Sequence, residues 1–169
     1  MDPNRYPIGK YEVPTNITPN FVRASIQAIA DFPAQLKELT ANLTDQDLAK
    51  CYREGGWNIQ QVVHHCADSH MNAFIRFKKS LTEDSPEITA YKEAYWVEMA
   101  DVSLPISVSI QLLESLHARW STMLSNTSFD ELGRGYFHPE QNRVVPLKEA
   151  VGLYAWHGKH HLAHIKMVD

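Results

Sequence analysis

The segment NIQQVVHHCADSHMNAFIRFKKS, residues 58–80, decides the fold. It holds neither proline nor glycine, and Asn58 followed three residues later by Gln61 is a capping pair, so a helix is predicted from Ile59 to about Ser80. At about 100° per residue one face gathers Ile59, Val62, Val63, Cys66, Ala73, Phe74 and Phe77. Gln61, His65, Ser69, Asn72 and Arg76 follow the other side, a polar stripe that either meets solvent or lines a site.

Three more amphipathic helices are predicted around it. Thr18-Pro19 is a cap and first-turn pair, and Phe21, Ile26, Ile29, Leu36 and Leu39 carry a helix to about Asn42, which Pro33 is expected to kink or split. Thr44 with Asp47 signals a short helical turn before Gly55-Gly56. Beyond an irregular stretch, 81–104, with a turn expected around Tyr91 to Met99, Pro105 opens a helix through Leu124. Its Ile110, Leu113, Leu116, His117, Trp120 and Leu124 fall at helical spacing. Gly133 to Pro146 reads as a small hairpin or loop, and a last helix runs from Leu147. Upstream, prolines at 7, 14 and 19 make residues 1–19 an extended arm. Four amphipathic helices on a chain of 169 residues predict an all-α four-helix bundle, one domain over 1–169.

Bulk properties exclude several partners. The net charge is −4 with lysines and arginines scattered, so no footprint for nucleic acid is expected. No stretch approaches the roughly 20 apolar residues of a membrane span, and no secretory signal is visible, so a cytoplasmic protein is expected. Cys51 and Cys66 lack a C-x-x-C spacing and are expected to be free; Cys66 lies in the apolar stripe as a small hydrophobe.

Histidines carry the chemistry. The last helix holds four, and its inward face is marked by Leu147, Val151, Tyr154, Ala155, Gly158, Leu162 and Ile165. Histidines four apart project from one helix face and can share an ion. The pair His157 and His161 is aimed closer to that face than His160 and His164, so periodicity prefers it. On the upstream helix it cannot choose between His64 and His65. His70 and His117 fall on apolar faces and read as satisfied core histidines, while Asp68 is a candidate acceptor for an imidazole. Gly158, inside a helix, suggests close approach of a neighbour.

The strings GGWNIQQVVHHCADSHMNAFIRFK, LHARW, FHPE and LYAWHGKHHLAHI, with YPIGKY at the start, resemble the DinB/YfiT-like superfamily, and its YfiT-like metal-dependent hydrolase branch in particular. The resemblance covers nearly the whole chain. It implies one metal ligand eight residues beyond the tryptophan of the upstream helix and two on the last helix: His65, His157 and His161. It thereby chooses between His64 and His65. It also implies that the protein is a homodimer.

Three neutral imidazoles leave an ion with open positions, the mark of a catalytic rather than structural metal, and all-nitrogen ligation suits zinc or nickel. The leading expectation is a metal-dependent hydrolase acting on a small-molecule substrate through activated water. A second is a thiol S-transferase of the bacillithiol-transferase kind, which the resemblance implies, activating a low-molecular-weight thiol at the same ion. A third is a non-catalytic metal-binding stress-response scaffold. No H-E-x-x-H glutamate supplies an evident base.

Overall fold

The computed structural model of the chain describes residues 2–168, and its first long helices begin where capping side chains satisfy otherwise unpaired N–H groups. Thr18 accepts from the Phe21 N–H at 3.2 Å and opens α1 (Pro19–Thr40). Thr44 and Asp47 form a capping box on the short α2 (Asp45–Leu48), and Asn58 and Gln61 form another on α3 (Ile59–Thr82). The turn expected around Tyr91 to Met99 is present as α4 (Glu93–Trp96), and a 3₁₀ turn, Ala100–Ser103, follows it. Helix α5 (Ile106–Ser125) follows. The segment before the last helix is a hairpin of β1 (Gly135–His138) and β2 (Arg143–Pro146), antiparallel with His138 opposite Arg143, which leads into α6 (Leu147–Ile165).

The four long helices form a bundle. Helix α1 packs on α5 and α6, and α3 packs on the same two, so α1 lies diagonal to α3 and α5 diagonal to α6. Helices consecutive in the chain are therefore not always neighbours in space. Residues 2–18 form neither helix nor strand, as the prolines require. Among the described residues no helix is long and apolar enough to cross a membrane.

The expected break at Pro33 does not occur, and α1 runs through it. Proline has no N–H to give to the carbonyl four residues back, that of Ile29. That carbonyl accepts instead from His117 Nδ1 on α5, at 2.6 Å.

Apolar side chains fall into two clusters. One gathers Ala73, Phe77, Trp120, Leu147 and Val151; the other gathers Leu36, Ile59, Val62, Val63, Leu113 and Ile165. Several histidines sit where the clusters meet: His70 between Ala67 and Ala73, His117 beside Leu113 and Leu116, and His157 to His161 between Ala155 and Leu162. The bundle thus carries an imidazole layer between two greasy halves. Phe32 abuts this layer from α1, its ring centroid 5.0 Å from that of His70 and 5.5 Å from that of His117.

Gly158 explains how α1 and α6 approach there: a Cβ at that position would stand 2.8 Å from the Phe32 ring. Gly158→Val should therefore lower the free energy of unfolding by about 1–3 kcal/mol through overpacking. Gly133→Ala, where a Cβ meets nothing within 4 Å, should stay within about 0.5 kcal/mol of wild type. Denaturant melts of the two variants check both values, and equal midpoints would contradict the close approach.

Candidate metal centre

Helix α3 delivers His65 and α6 delivers His157 and His161 to one point, with a ring nitrogen of each within 4.8 Å of those of the other two. The Nε2 atoms of His65 and His157 are 3.3 Å apart. Two nitrogens each about 2.0–2.1 Å from one tetrahedral ion lie about 3.3 Å from one another, so this spacing fits a shared divalent ion. Carboxylates and thiols are absent from the group. His65 is further held by the Trp57 ring, 4.7 Å away between centroids.

His64 turns away from this point. Its Nε2–H donates to the Leu104 carbonyl at 3.0 Å, and its Nδ1 accepts from the Ser109 hydroxyl at 2.7 Å. Together with Gln60 and Gln61, whose amides donate to the carbonyls of Val102 and Val97, it ties α3 to the segment before α5.

His160 and His164, which periodicity ranks behind His157 and His161, are also buried. The cover comes from outside the helical pattern. Tyr52 stacks on His164 at 3.9 Å, the arm carbonyl of Arg5 accepts from His164 Nε2 at 3.3 Å, and Tyr6 of the arm lies against His160. His160, His161 and His164 make a second grouping of ring nitrogens, but it shares His161 with the first and its His164 is already bonded to the arm.

His70 and His117 are buried and hydrogen-bonded, as core histidines should be, yet they connect to the site. His117 Nε2 lies 2.8 Å from His70 Nδ1, and His70 Nε2 lies 3.0 Å from His157 Nδ1. Their positions on apolar faces gave no hint of this link. Asp68, a candidate for orienting an imidazole, makes no such bond; its backbone carbonyl accepts from the Asn72 amide. Cys66 is fully buried in the apolar stripe, and Cys51 is free and exposed.

Burial sets the electrostatics. It pulls His65, His117 and His160 down to about 4, and it holds His70, His157 and His161 well below the ordinary imidazole value, with neighbouring histidines adding to the effect. Neutral imidazole is the form that binds a metal, so the environment presents lone pairs rather than cations. Asp68 is pushed up to about 6, by burial first and then by Asp101.

A cavity of about 370 Å³ opens over the three rings. Ser69 and Arg76 of the α3 polar stripe line it, whereas Asn72 does not. Tyr91 and Glu93, at the turn expected around Tyr91 to Met99, form another part of the wall. His138 of β1 contributes a third, and Arg5 and Tyr6 of the arm close one side. Arg76 reaches the Tyr154 hydroxyl and the Thr89 carbonyl, both at 3.4 Å.

Residues 28–165 match the family described as the DinB superfamily. The chain belongs to the DinB superfamily. Curated members include a Halalkalibacterium halodurans protein named "Putative metal-dependent hydrolase", 44% identical over 96% of this chain and 95% of its own. A Bacillus cereus relative with the same name is 46% identical over 98% of this chain and 95% of its own. Among solved structures, YfiT from Bacillus subtilis, described as "a probable metal-dependent hydrolase with an unusual four-helix bundle topology", superposes with a TM-score of 0.95 at 42% identity. The match covers 98% of this chain and 95% of that one. The diagonal placement of successive long helices is thus a property of this superfamily member and of a close structural relative.

The depressed imidazoles make stability depend on pH with a definite sign. In the unfolded chain these rings titrate near 6.5, and in the folded protein His65 titrates at about 4, so acid protonates the unfolded state first. Metal-free protein should show unfolding midpoints that are level above about pH 7 and fall steadily from about 6.5 toward 4. Denaturant melts across that range check this, and equal stability at both ends would contradict the burial.

Proposed function

We propose that this chain is a metal-dependent hydrolase of a small-molecule substrate, with a divalent ion held by His65, His157 and His161. The observation that carries the reading is the convergence of three neutral imidazoles, two buried and one half-buried, from two helices in the wall of a cavity. The names of the relatives, from three genera, point the same way. Zinc and nickel both suit a site made only of imidazole nitrogens.

A divalent ion with open positions supplies a Lewis acid that polarises a carbonyl or phosphoryl oxygen and lowers the pKa of coordinated water. The chain's own residues do the rest. His65, His157 and His161 hold lone pairs inward, and their neutrality leaves the charge of the ion undiminished. Trp57, Tyr52 and the arm residue Tyr6 narrow the approach of bulk solvent. A cavity of about 370 Å³ admits a small molecule and not a folded macromolecule. Glu93 and Glu140 are the carboxylates in its wall, with Arg5 and Arg76 the cationic side chains beside them.

Protein purified without a tag should bind close to one divalent ion per chain, and His65→Ala, His157→Ala and His161→Ala should each abolish stoichiometric binding. Metal-loaded wild type should cleave members of an activated-ester panel, with each alanine variant reduced by at least about 100-fold. A parallel assay offers an electrophile with several small thiols. Thiol consumption that needs His161, without ester cleavage, would replace hydrolysis by S-transfer. Bound metal with neither activity would replace catalysis by a scaffold role.

A further inference from the structure

We propose that His117 and His70 are positioning residues for the candidate centre. A line of imidazole hydrogen bonds, anchored on the Ile29 carbonyl that Pro33 leaves without a helical donor, fixes the tautomer of His157 and turns its Nε2 lone pair toward the ion. The inference deepens the metal reading and rests on it for the role of that lone pair.

The direction of the line follows from proton accounting. A neutral histidine has one N–H donor and one acceptor nitrogen, and a carbonyl only accepts. His117 Nδ1 therefore carries the proton that bonds Ile29 O at 2.6 Å. His117 Nε2 is then an acceptor, so the 2.8 Å contact with His70 is donated by His70 Nδ1–H. This leaves His70 Nε2 to accept from His157 Nδ1–H at 3.0 Å. Three rings carry three protons, one in each of three bonds. The outcome is a lone pair on His157 Nε2, the atom that faces His65 Nε2 at 3.3 Å.

A shorter line serves His161. His164 Nε2–H donates to the Arg5 carbonyl at 3.3 Å, so His164 Nδ1 accepts from His161 Nδ1–H at 3.4 Å, and His161 Nε2 is left free. Both lines start at a backbone acceptor and end at a ligand. Filling space in a core needs no such order, since phenylalanine or leucine would do it without buried polar atoms to satisfy. A hydrogen bond accepted from the remote N–H of a ligating histidine fixes its ring and raises its basicity, which is the effect assigned to His70.

Pro33 supplies an independent sign. A proline inside a helix normally costs about 3 kcal/mol or more, and this one stands four residues after the carbonyl that the line uses. The missing N–H frees the anchor.

The test begins with the metal-free protein carrying ¹⁵N-histidine, read by long-range ¹H–¹⁵N correlation near pH 7.5. His117, His70 and His157 should appear as Nδ1–H tautomers. An Nε2–H tautomer at His157 or His70 overturns the proposal, whatever the metal measurements give. Zn²⁺ affinity is then measured by competition with a chromophoric chelator for His70→Gln, His70→Leu and His117→Leu. The glutamine amide oxygen can still accept from His157, and leucine cannot. Both leucine variants should lose about 10–100-fold in affinity while His70→Gln stays within about threefold of wild type. A purely structural role would lower the melting temperature of the variants without separating glutamine from leucine in affinity. Should wild type bind no Zn²⁺, the metal reading fails, and the tautomers are still decided by the spectrum.

Discussion

Imidazoles taken out of water must find partners, and that requirement organises this protein. Seven of its nine histidines are buried, and two of them, His70 and His117, form with the half-buried His157 a layer across a four-helix bundle. An unpaired buried polar atom costs more than a hydrogen bond gains, so such a layer is tolerated only when its bonds close on one another and on the backbone. Here most of them close on the carbonyls of Ile29, Leu104 and Arg5, while His160 Nδ1 is buried with no protein partner. Nitrogens left over from that pairing face a common cavity.

Helix order makes the layer possible. The bonds pass from α1 through His117 on α5 and His70 on α3 to His157 on α6, which follows the order in which the helices touch. Every helix therefore contributes at the same level. Apolar packing above and below is non-directional and would accept a slip of a helix by one turn more readily than this layer does. A slide would drive histidines into greasy surroundings and leave lone pairs unmatched. The layer acts on register as a buried polar residue does in a coiled coil, favouring one arrangement over its neighbours.

Much of the fold was legible because it is written locally. Caps at Thr18, Thr44 and Asn58, the prolines of the arm, and apolar spacing in α3 and α5 each predict an element that is present. Periodicity also preferred His157 and His161, and resemblance selected His65; the structure brings these three together. What was hidden depends on long-range contacts. Pro33 reads locally as a breaker, and only the position of His117 across the bundle shows why the helix tolerates it. Periodicity ranked His164 behind His157 and His161, and only Tyr52 and the arm, distant in sequence, show how it is buried. Tyr91 and Glu93 lie at a helical turn that was expected, but nothing in their spacing announces a cavity wall.

The bond between Arg5 and His164 spans 159 positions of the chain. Contacts of such separation are reached late, after the intervening loop entropy has been overcome by everything between. The arm is made before the surface on which it docks, since α6 follows the other long helices in the chain. The helices can thus assemble into a competent scaffold before the vestibule above the histidines is enclosed, so an ion has an open route in while the final wall is still unplaced.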